Sequence, residues 1–448
     1  MNLPKPASFS IALFFVVTTI CLNGCFTIPN QFTGLAPGYW RATLDVRPTD
    51  FNADGGAIKN IPINFEEATE GSLPFNFEVI YENENDFHID IINGKERIRV
   101  PKEDIYIGLD RRVGKDTFLI KFPIYESYIK GLFESRVMEG QWVVTNRENY
   151  QIPFVAKFGK GYRFTELRKE PVMDISGKWE VHFEAKDDPE DKFPGIGEFE
   201  QEGNKLTGTF RTETGDYRYL EGTIQENKVY LSVFDGAHAF LFEAKILEDK
   251  SMIGLFRSGK HYQATWTATK NEDFELTDPN ELTFLKEGYD KISFAFPNPK
   301  GKMISLDNPE YQGKAKIVQI FGTWCPNCRE ETTFLVDYLK KNPQLDLEVI
   351  ALAFEKRRDK AQANEAVVRY KKAFGIDYEM VVAGYSNKKE AAQSLPMLNH
   401  ILSYPTLIFI DKNDQVVKIH TGYNGTATSK YDEFVADFEA TVESIVKS

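Results

Sequence analysis

Two cysteines three positions apart, Cys325 and Cys328, stand where a strand-like run gives way to a helix-like one. Ile317-Val318-Gln319-Ile320-Phe321 is an apolar run of strand length, and Arg329-Glu330-Glu331 follows directly on the second cysteine. A strand feeding a helix that opens on Cys-x-x-Cys places the first sulfur among unpaired backbone N–H groups. There the helix dipole favours a thiolate. The chain of 448 residues holds four cysteines, and the other two, Cys21 and Cys25, lie near its start. The folded body therefore has one pair and no second one, which excludes a disulfide scaffold. A zinc half-site would want a second ligand pair; no further cysteine exists, and His400 and His420 are not at finger spacing.

A length of 448 residues predicts three domains or two large ones. Hydrophobic content of 42% with 27% charged residues describes a soluble globular composition. A net charge of −13 argues against nucleic acid, whose phosphates would repel such a surface.

The N-terminus reads as an address. Lys5 precedes the apolar stretch Ile11 to Ile20, too short for a permanent membrane span and the right length for a secretory signal. Leu22 and Gly24, at −3 and −1 of Cys25, resemble a bacterial lipoprotein cleavage box. The resemblance implies a signal peptide over residues 1–24, lipidation at Cys25 and a tether over 25–37.

Two later segments share an outline. Gly38-Tyr39-Trp40 is answered by Gly177-Lys178-Trp179, Met138-Glu139-Gly140 by Met252-Ile253-Gly254, and Tyr150-Gln151 by Tyr262-Gln263. Apolar residues alternate within each, as in Phe75, Phe77 and Val79 or Val229, Leu231 and Val233, with turn signals such as Asn93-Gly94 between runs. This pattern predicts two related antiparallel all-β modules, 38–168 and 169–275, each a meander sandwich or small barrel. A Gly-x-Trp opening strand is similar to that of lipocalin-like barrels. His88, His182, His238 and His261 show no metal-ligand spacing.

Residues 276–292 read as a linker, and 293–448 alternate strand and helix. A helix is expected from about Pro326 to Lys341, carrying Phe334, Leu335, Tyr338 and Leu339 on one face. A strand covers Leu347 to Phe354, and a helix runs from Asp359 to a stop at Gly375. A strand at Thr406 to Ile410 turns into Val416 to Ile419. Ser429 is the expected N-cap of the last helix, with Asp432 three residues on.

Trp324-Cys325-x-x-Cys328 after a strand, followed by the strand that opens at Tyr404-Pro405-Thr406, resembles the thioredoxin fold. The exported, tethered context is similar to the TlpA/ResA branch, over roughly residues 290 to 448. The resemblance implies an α/β thioredoxin fold there, with Cys325 as the attacking thiolate and Cys328 resolving the mixed disulfide. It implies a cis bond before Pro405, facing the cysteines, and makes Trp324 the family tryptophan. Thioredoxins carry a buried aspartate where this chain has Gln319, which cannot take a proton. Glu331 matches a glutamate of the TlpA/ResA branch and is the candidate acid/base group. Thr333 and Asn327 stand where relatives carry proline. Met397, Leu398 and Ile401, just before Pro405, are a candidate apolar lip for a partner.

The expected function is an exported, membrane-tethered thiol-disulfide oxidoreductase, on the periplasmic side of the cell envelope and anchored by lipid. Its redox centre is the Cys325–Cys328 disulfide with no other cofactor. Its partners are protein disulfide or dithiol clients and a membrane electron donor. The alternatives are a binding or adapter lipoprotein whose β-modules hold a ligand, and a thiol peroxidase-like antioxidant. The peroxidase signature Pro-x-x-x-Thr-x-x-Cys is missing.

Overall fold

A computed structural model describes residues 34–47, 71–112, 114–134 and 136–448. The expected signal peptide, Cys25 and most of the tether lie outside the described residues.

Nine antiparallel strands, β1 (Gly38–Asp45) to β9 (Gln151–Phe158), form the first sheet. β1 pairs with both β2 (Ser72–Asn83) and β9, while β4 (Glu96–Val100) and β5 (Ile105–Asp110) are the two edges. The meander is closed at its ends and open in its middle, a half-barrel. Period-two alternation sends Trp40, Ala42 and Leu44 of β1 inward.

The second sheet runs from β10 (Gly177–Ala185) to β18 (Tyr262–Lys270). Here β10 pairs with β18, and β11 (Lys192–Glu202) pairs with β12 (Lys205–Thr212), so the sheet closes into a barrel. Trp179, Phe183, Phe210, Phe242, Phe256 and Trp266 fill its interior. The Phe242 ring stacks against Phe210 and Phe256, each at 4.4 Å between centroids. The matching openings of the two modules have matching structures. Trp40 Nε1 donates to the Ala36 carbonyl at 3.0 Å and Trp179 Nε1 to the Ile175 carbonyl at 2.8 Å, each four residues back.

The two modules share a core. Phe234, Ala239 and Leu241 of the barrel pack among the half-barrel's buried residues. Arg163 ties the seam by donating to the Ile92 carbonyl at 2.9 Å, Asn93 Oδ1 at 3.0 Å and Ser232 Oγ at 2.8 Å.

After the short hairpin of β19 (Ala295–Pro297) and β20 (Met303–Ser305), the C-terminal domain is a five-stranded sheet in the order β23 (Glu379–Tyr385), β22 (Leu347–Glu355), β21 (Ala315–Phe321), β24 (Thr406–Ile410), β25 (Val416–Thr421). Strands β21, β22 and β23 are parallel and the other two antiparallel. The helix after β21 spans Pro326–Lys341; the next spans Lys360–Phe374, capped by Asp359 and by Gly375 in the left-handed conformation.

Three features differ from the sequence reading. Ser429 does not cap the last helix, Tyr431–Lys447, which starts from Lys430 without a side-chain cap. Instead Ser429 donates its hydroxyl and its N–H to the Glu198 carboxylate of the barrel, at 2.7 and 2.9 Å. Met397, Leu398 and Ile401 are buried core residues and form no lip. Their apolar side chains gain more from the domain's own core than from solvent exposure. Residues 276–292 are no loose linker. Thr421 donates to the Thr283 hydroxyl at 2.8 Å, and Leu285 bridges to Leu398, so this segment lies against the C-terminal domain.

Candidate active site

β21 ends at Phe321 and delivers the chain to Gly322. A Cβ on Gly322 would collide with Nε1 and Cε2 of the Trp324 indole and lie 2.9 Å from the Phe354 carbonyl oxygen. Only glycine lets the indole fold back there. Trp324 Nε1 donates to that Phe354 carbonyl at 2.9 Å, and the ring stands edge-on to Tyr404 at 5.7 Å.

Cys325 is the N-cap of the helix Pro326–Lys341, and its sulfur accepts the Cys328 N–H at 3.2 Å. Pro326 occupies the first helical position, where a missing N–H leaves nothing unsatisfied. The two cysteines are joined as a disulfide with their Cα atoms 5.2 Å apart. Cys325 is 6% exposed and Cys328 0%, so Cys325 presents the outer sulfur. Its Sγ lies 3.4 Å from the Tyr404 carbonyl oxygen, and the Tyr404–Pro405 bond is cis. The structure thus brings Trp324, Cys325, Cys328 and Pro405 together.

Glu331 lies three residues beyond Cys328 on the same helix and is fully buried. Gln319 Nε2 donates to Glu331 Oε2 at 2.8 Å and to Thr332 Oγ1 at 3.2 Å. The other carboxyl oxygen, Oε1, is buried without a protein partner. Burial pushes the Glu331 carboxyl up to about 8, and the Gln319 hydrogen bond only partly opposes it. At neutral pH most molecules keep this proton and a minority hold the carboxylate.

A second buried carboxyl, Glu355, escaped the sequence reading. It stands at the end of β22 and accepts the Thr323 N–H at 3.0 Å and the Thr323 hydroxyl at 2.8 Å. Burial pushes it up to about 7 against the pull of those two bonds. Its one sequence signal is an acid placed directly after the apolar run that ends at Phe354.

The β-modules reach this site as well. Asn327, between the cysteines, donates to the Asp216 carbonyl at 3.2 Å, and Ser403 donates to the Thr214 carbonyl at 2.7 Å. Gly215 between them has φ +129 and abuts Asn327, so a side chain there would be strained and obstructed. Arg218 is buried among Glu96, Asp235 and Glu330, one carboxylate from each of the three units. Burial alone would lower the Arg218 guanidinium, and those carboxylates instead hold it well above its ordinary value. Burial with repulsion from Asp216 and Glu96 outweighs the pull of Arg218 and Arg329 and pushes Glu330 up to about 7. Arg329 donates to the Tyr125 hydroxyl at 3.1 Å, fastening the same helix to the half-barrel.

Comparison with known proteins bears on the C-terminal domain. The Redoxin family model matches residues 290–435. Residues 290–435 are a Redoxin domain. The thiol-disulfide oxidoreductase ResA of Bacillus subtilis (strain 168) is 25% identical over 138 residues, 31% of this chain and 69% of that protein. ResA of Halalkalibacterium halodurans is 26% identical over 158 residues, 35% of this chain and 78% of that protein. Among solved structures, a thioredoxin-family thiol:disulfide interchange protein from Chlorobium tepidum TLS is 24% identical with a TM-score of 0.27. It covers 36% of this chain and 98% of its own. The C-terminal domain is TlpA/ResA-like and of the thioredoxin superfamily, and these matches support a thioredoxin-like thiol-disulfide oxidoreductase. The Redoxin match begins after both β-modules. Among the described residues, no group of three or more His, Cys, Asp or Glu side chains is placed to hold a metal ion.

Proposed function

We propose that this protein is an exported, lipid-tethered enzyme that reduces disulfides in client proteins. The observation that carries the reading is the placement of Cys325. Its sulfur caps a helix, is the outer of the pair, and faces the Tyr404 carbonyl beside cis-Pro405. In the dithiol state the helix N-terminus stabilises a Cys325 thiolate. That thiolate attacks one client sulfur, forms a mixed disulfide and expels the other client sulfur as a thiolate. Glu331 in its ionised form, the minority at neutral pH, takes the Cys328 proton, and the Cys328 thiolate attacks Cys325 Sγ. The Cys325–Cys328 disulfide forms, the second client sulfur leaves, and two electrons have passed to the client. A carboxyl near 8 is matched to an ordinary thiol of about 8.5, so the proton moves at little cost. A membrane protein that passes electrons outward would restore the dithiol.

Export and the lipid anchor rest on Lys5, the apolar stretch Ile11 to Ile20, and Cys25 with Leu22 and Gly24 before it. Among the described residues no helix is long and apolar enough to cross a membrane. Cys325→Ala in the full chain is expected to abolish reduction of insulin or of a native partner's disulfide. An unchanged rate defeats the enzyme reading. Cys328→Ser is expected to trap clients as mixed disulfides on Cys325. Labelled palmitate incorporated by the wild type and equally by Cys25→Ala would refute the anchor.

A further inference from the structure

The loops that surround Cys325 are bridged by another part of the same chain. The barrel hairpin that joins β12 to the two-residue β13 (Gly215–Asp216) touches each of them. The Thr214 carbonyl accepts from the Ser403 hydroxyl at 2.7 Å, just before cis-Pro405. The Asp216 carbonyl accepts from Asn327, between the cysteines, at 3.2 Å. Asp216 Oδ2 accepts the Gly425 N–H at 2.7 Å, in the loop that follows β25. A donor already paired in this way is lost to any other partner until that bond breaks.

The hairpin supports itself. Thr212 Oγ1 donates to the Gly215 carbonyl at 2.9 Å and accepts the Thr214 N–H at 3.3 Å. Just beyond it, Arg218 is ion-paired with Glu330 on the cysteine helix. Gly215 lets the backbones approach closely, since a Cβ there would collide with Asn327 Nδ2. With the turn in place Cys325 is 6% exposed. Trp324, on the chain before Cys325, packs within the Redoxin domain instead, against the Phe354 carbonyl and the Tyr404 ring. Its half-buried ring has Lys356 Nζ 4.1 Å from its centre.

We propose that the barrel turn Glu213–Asp216 is a specificity element that fills the Asn327–Ser403 flank of Cys325. A client disulfide is then attacked only when a slender, flexible segment presents it from beside Trp324. Disulfides set in the surface of a folded client are held off by the barrel. This deepens the reading of the protein as a protein-disulfide reductase and rests on it. It also gives the barrel a part in client choice.

The test uses the full chain in its dithiol form and one disulfide-bearing sequence in two settings. One is a short peptide, and the other is the same sequence grafted into a loop of a small folded protein. Wild type is expected to favour the peptide at least about tenfold in kcat/KM. Gly215→Val forces the turn off Asn327 and should narrow that ratio about tenfold by speeding the folded client, with the peptide rate changed less than about twofold. Ser403→Ala removes one bond to the turn and should narrow the ratio several-fold; it carries the test alone if Gly215→Val does not fold. A second readout needs no turnover. Alkylation at Cys325, followed by peptide mass, compares N-ethylmaleimide with the same maleimide borne on a small folded protein, and the discrimination should relax in both variants. Ratios unchanged in both variants overturn the specificity element, as does a Gly215→Val chain that slows peptide and folded client alike. If none of the proteins reduces either disulfide while the alkylation ratio still relaxes, the reductase reading is struck and the occlusion of Cys325 by the turn stands.

Discussion

Replacing Glu331 by Gln separates a catalytic carboxyl from a structural one. The amide keeps the shape of the side chain and the oxygen that accepts from Gln319, now at 2.8 Å, but it cannot ionise. The native carboxyl sits at about 8 against an ordinary 4.5. At 1.36 kcal/mol per unit, the ionised form is disfavoured in the folded chain by about 5 kcal/mol. The sign follows from the raised value. Below 4.5 both folded and unfolded chains hold the proton and the group costs nothing. Between 4.5 and about 8 only the unfolded chain releases it, so wild-type stability falls as pH rises through that window. Glu331→Gln lacks this loss. Its stability in urea should match wild type within about 1 kcal/mol near pH 4.5 and exceed it by about 3 kcal/mol at pH 7. The same variant should reduce client disulfides at least about a hundredfold more slowly, because Cys328 has lost its proton acceptor. It should also lose any rate dependence centred near pH 8. A stability difference that does not change with pH refutes the burial argument, and an unchanged rate refutes the proton-transfer role.

Two further perturbations probe the supports of the site. Arg218→Met leaves Glu96, Asp235 and Glu330 without their shared cation. It should cost about 3–5 kcal/mol in urea at pH 8 and distinctly less at pH 5, where carboxyls can take up protons; a loss independent of pH would count against the clamp. Gly322→Ala drives a methyl group into the Trp324 indole and the Phe354 carbonyl. It should cost about 1–3 kcal/mol, shift the near-UV signal of Trp324 and slow turnover; an unaltered spectrum would show that the indole does not need that space.

Elements that depend on neighbours along the chain were legible in the sequence. The helix Pro326–Lys341 spans the residues expected of it, because capping and periodicity are local. The repeat was legible too, since Trp40 and Trp179 each close the same four-residue loop. The sequence left open sandwich or barrel. That choice turns on whether β11 reaches β12 and whether β4 reaches β5, and only the first pair forms. The strand Glu379–Tyr385 went unread although Met380-Val381-Val382-Ala383 is apolar. Ser429 was misread because Glu198, 231 residues away, outcompetes the helix for its donors.

Spacing along the chain located the redox pair, its place between strand and helix, Gln319 in the place of an acid, and Glu331 as the residue to watch. Spacing along a chain decides which side chains share one turn of helix or one face of a strand. Folding in three dimensions set the environment of that pair: the burial of Glu331, the Glu355 carboxyl against Thr323, the barrel turn beside Asn327, and Lys356 over the Trp324 ring. Desolvation and Coulomb interaction depend on distance in space and on what displaces water. No spacing in a sequence of three packed units records either quantity.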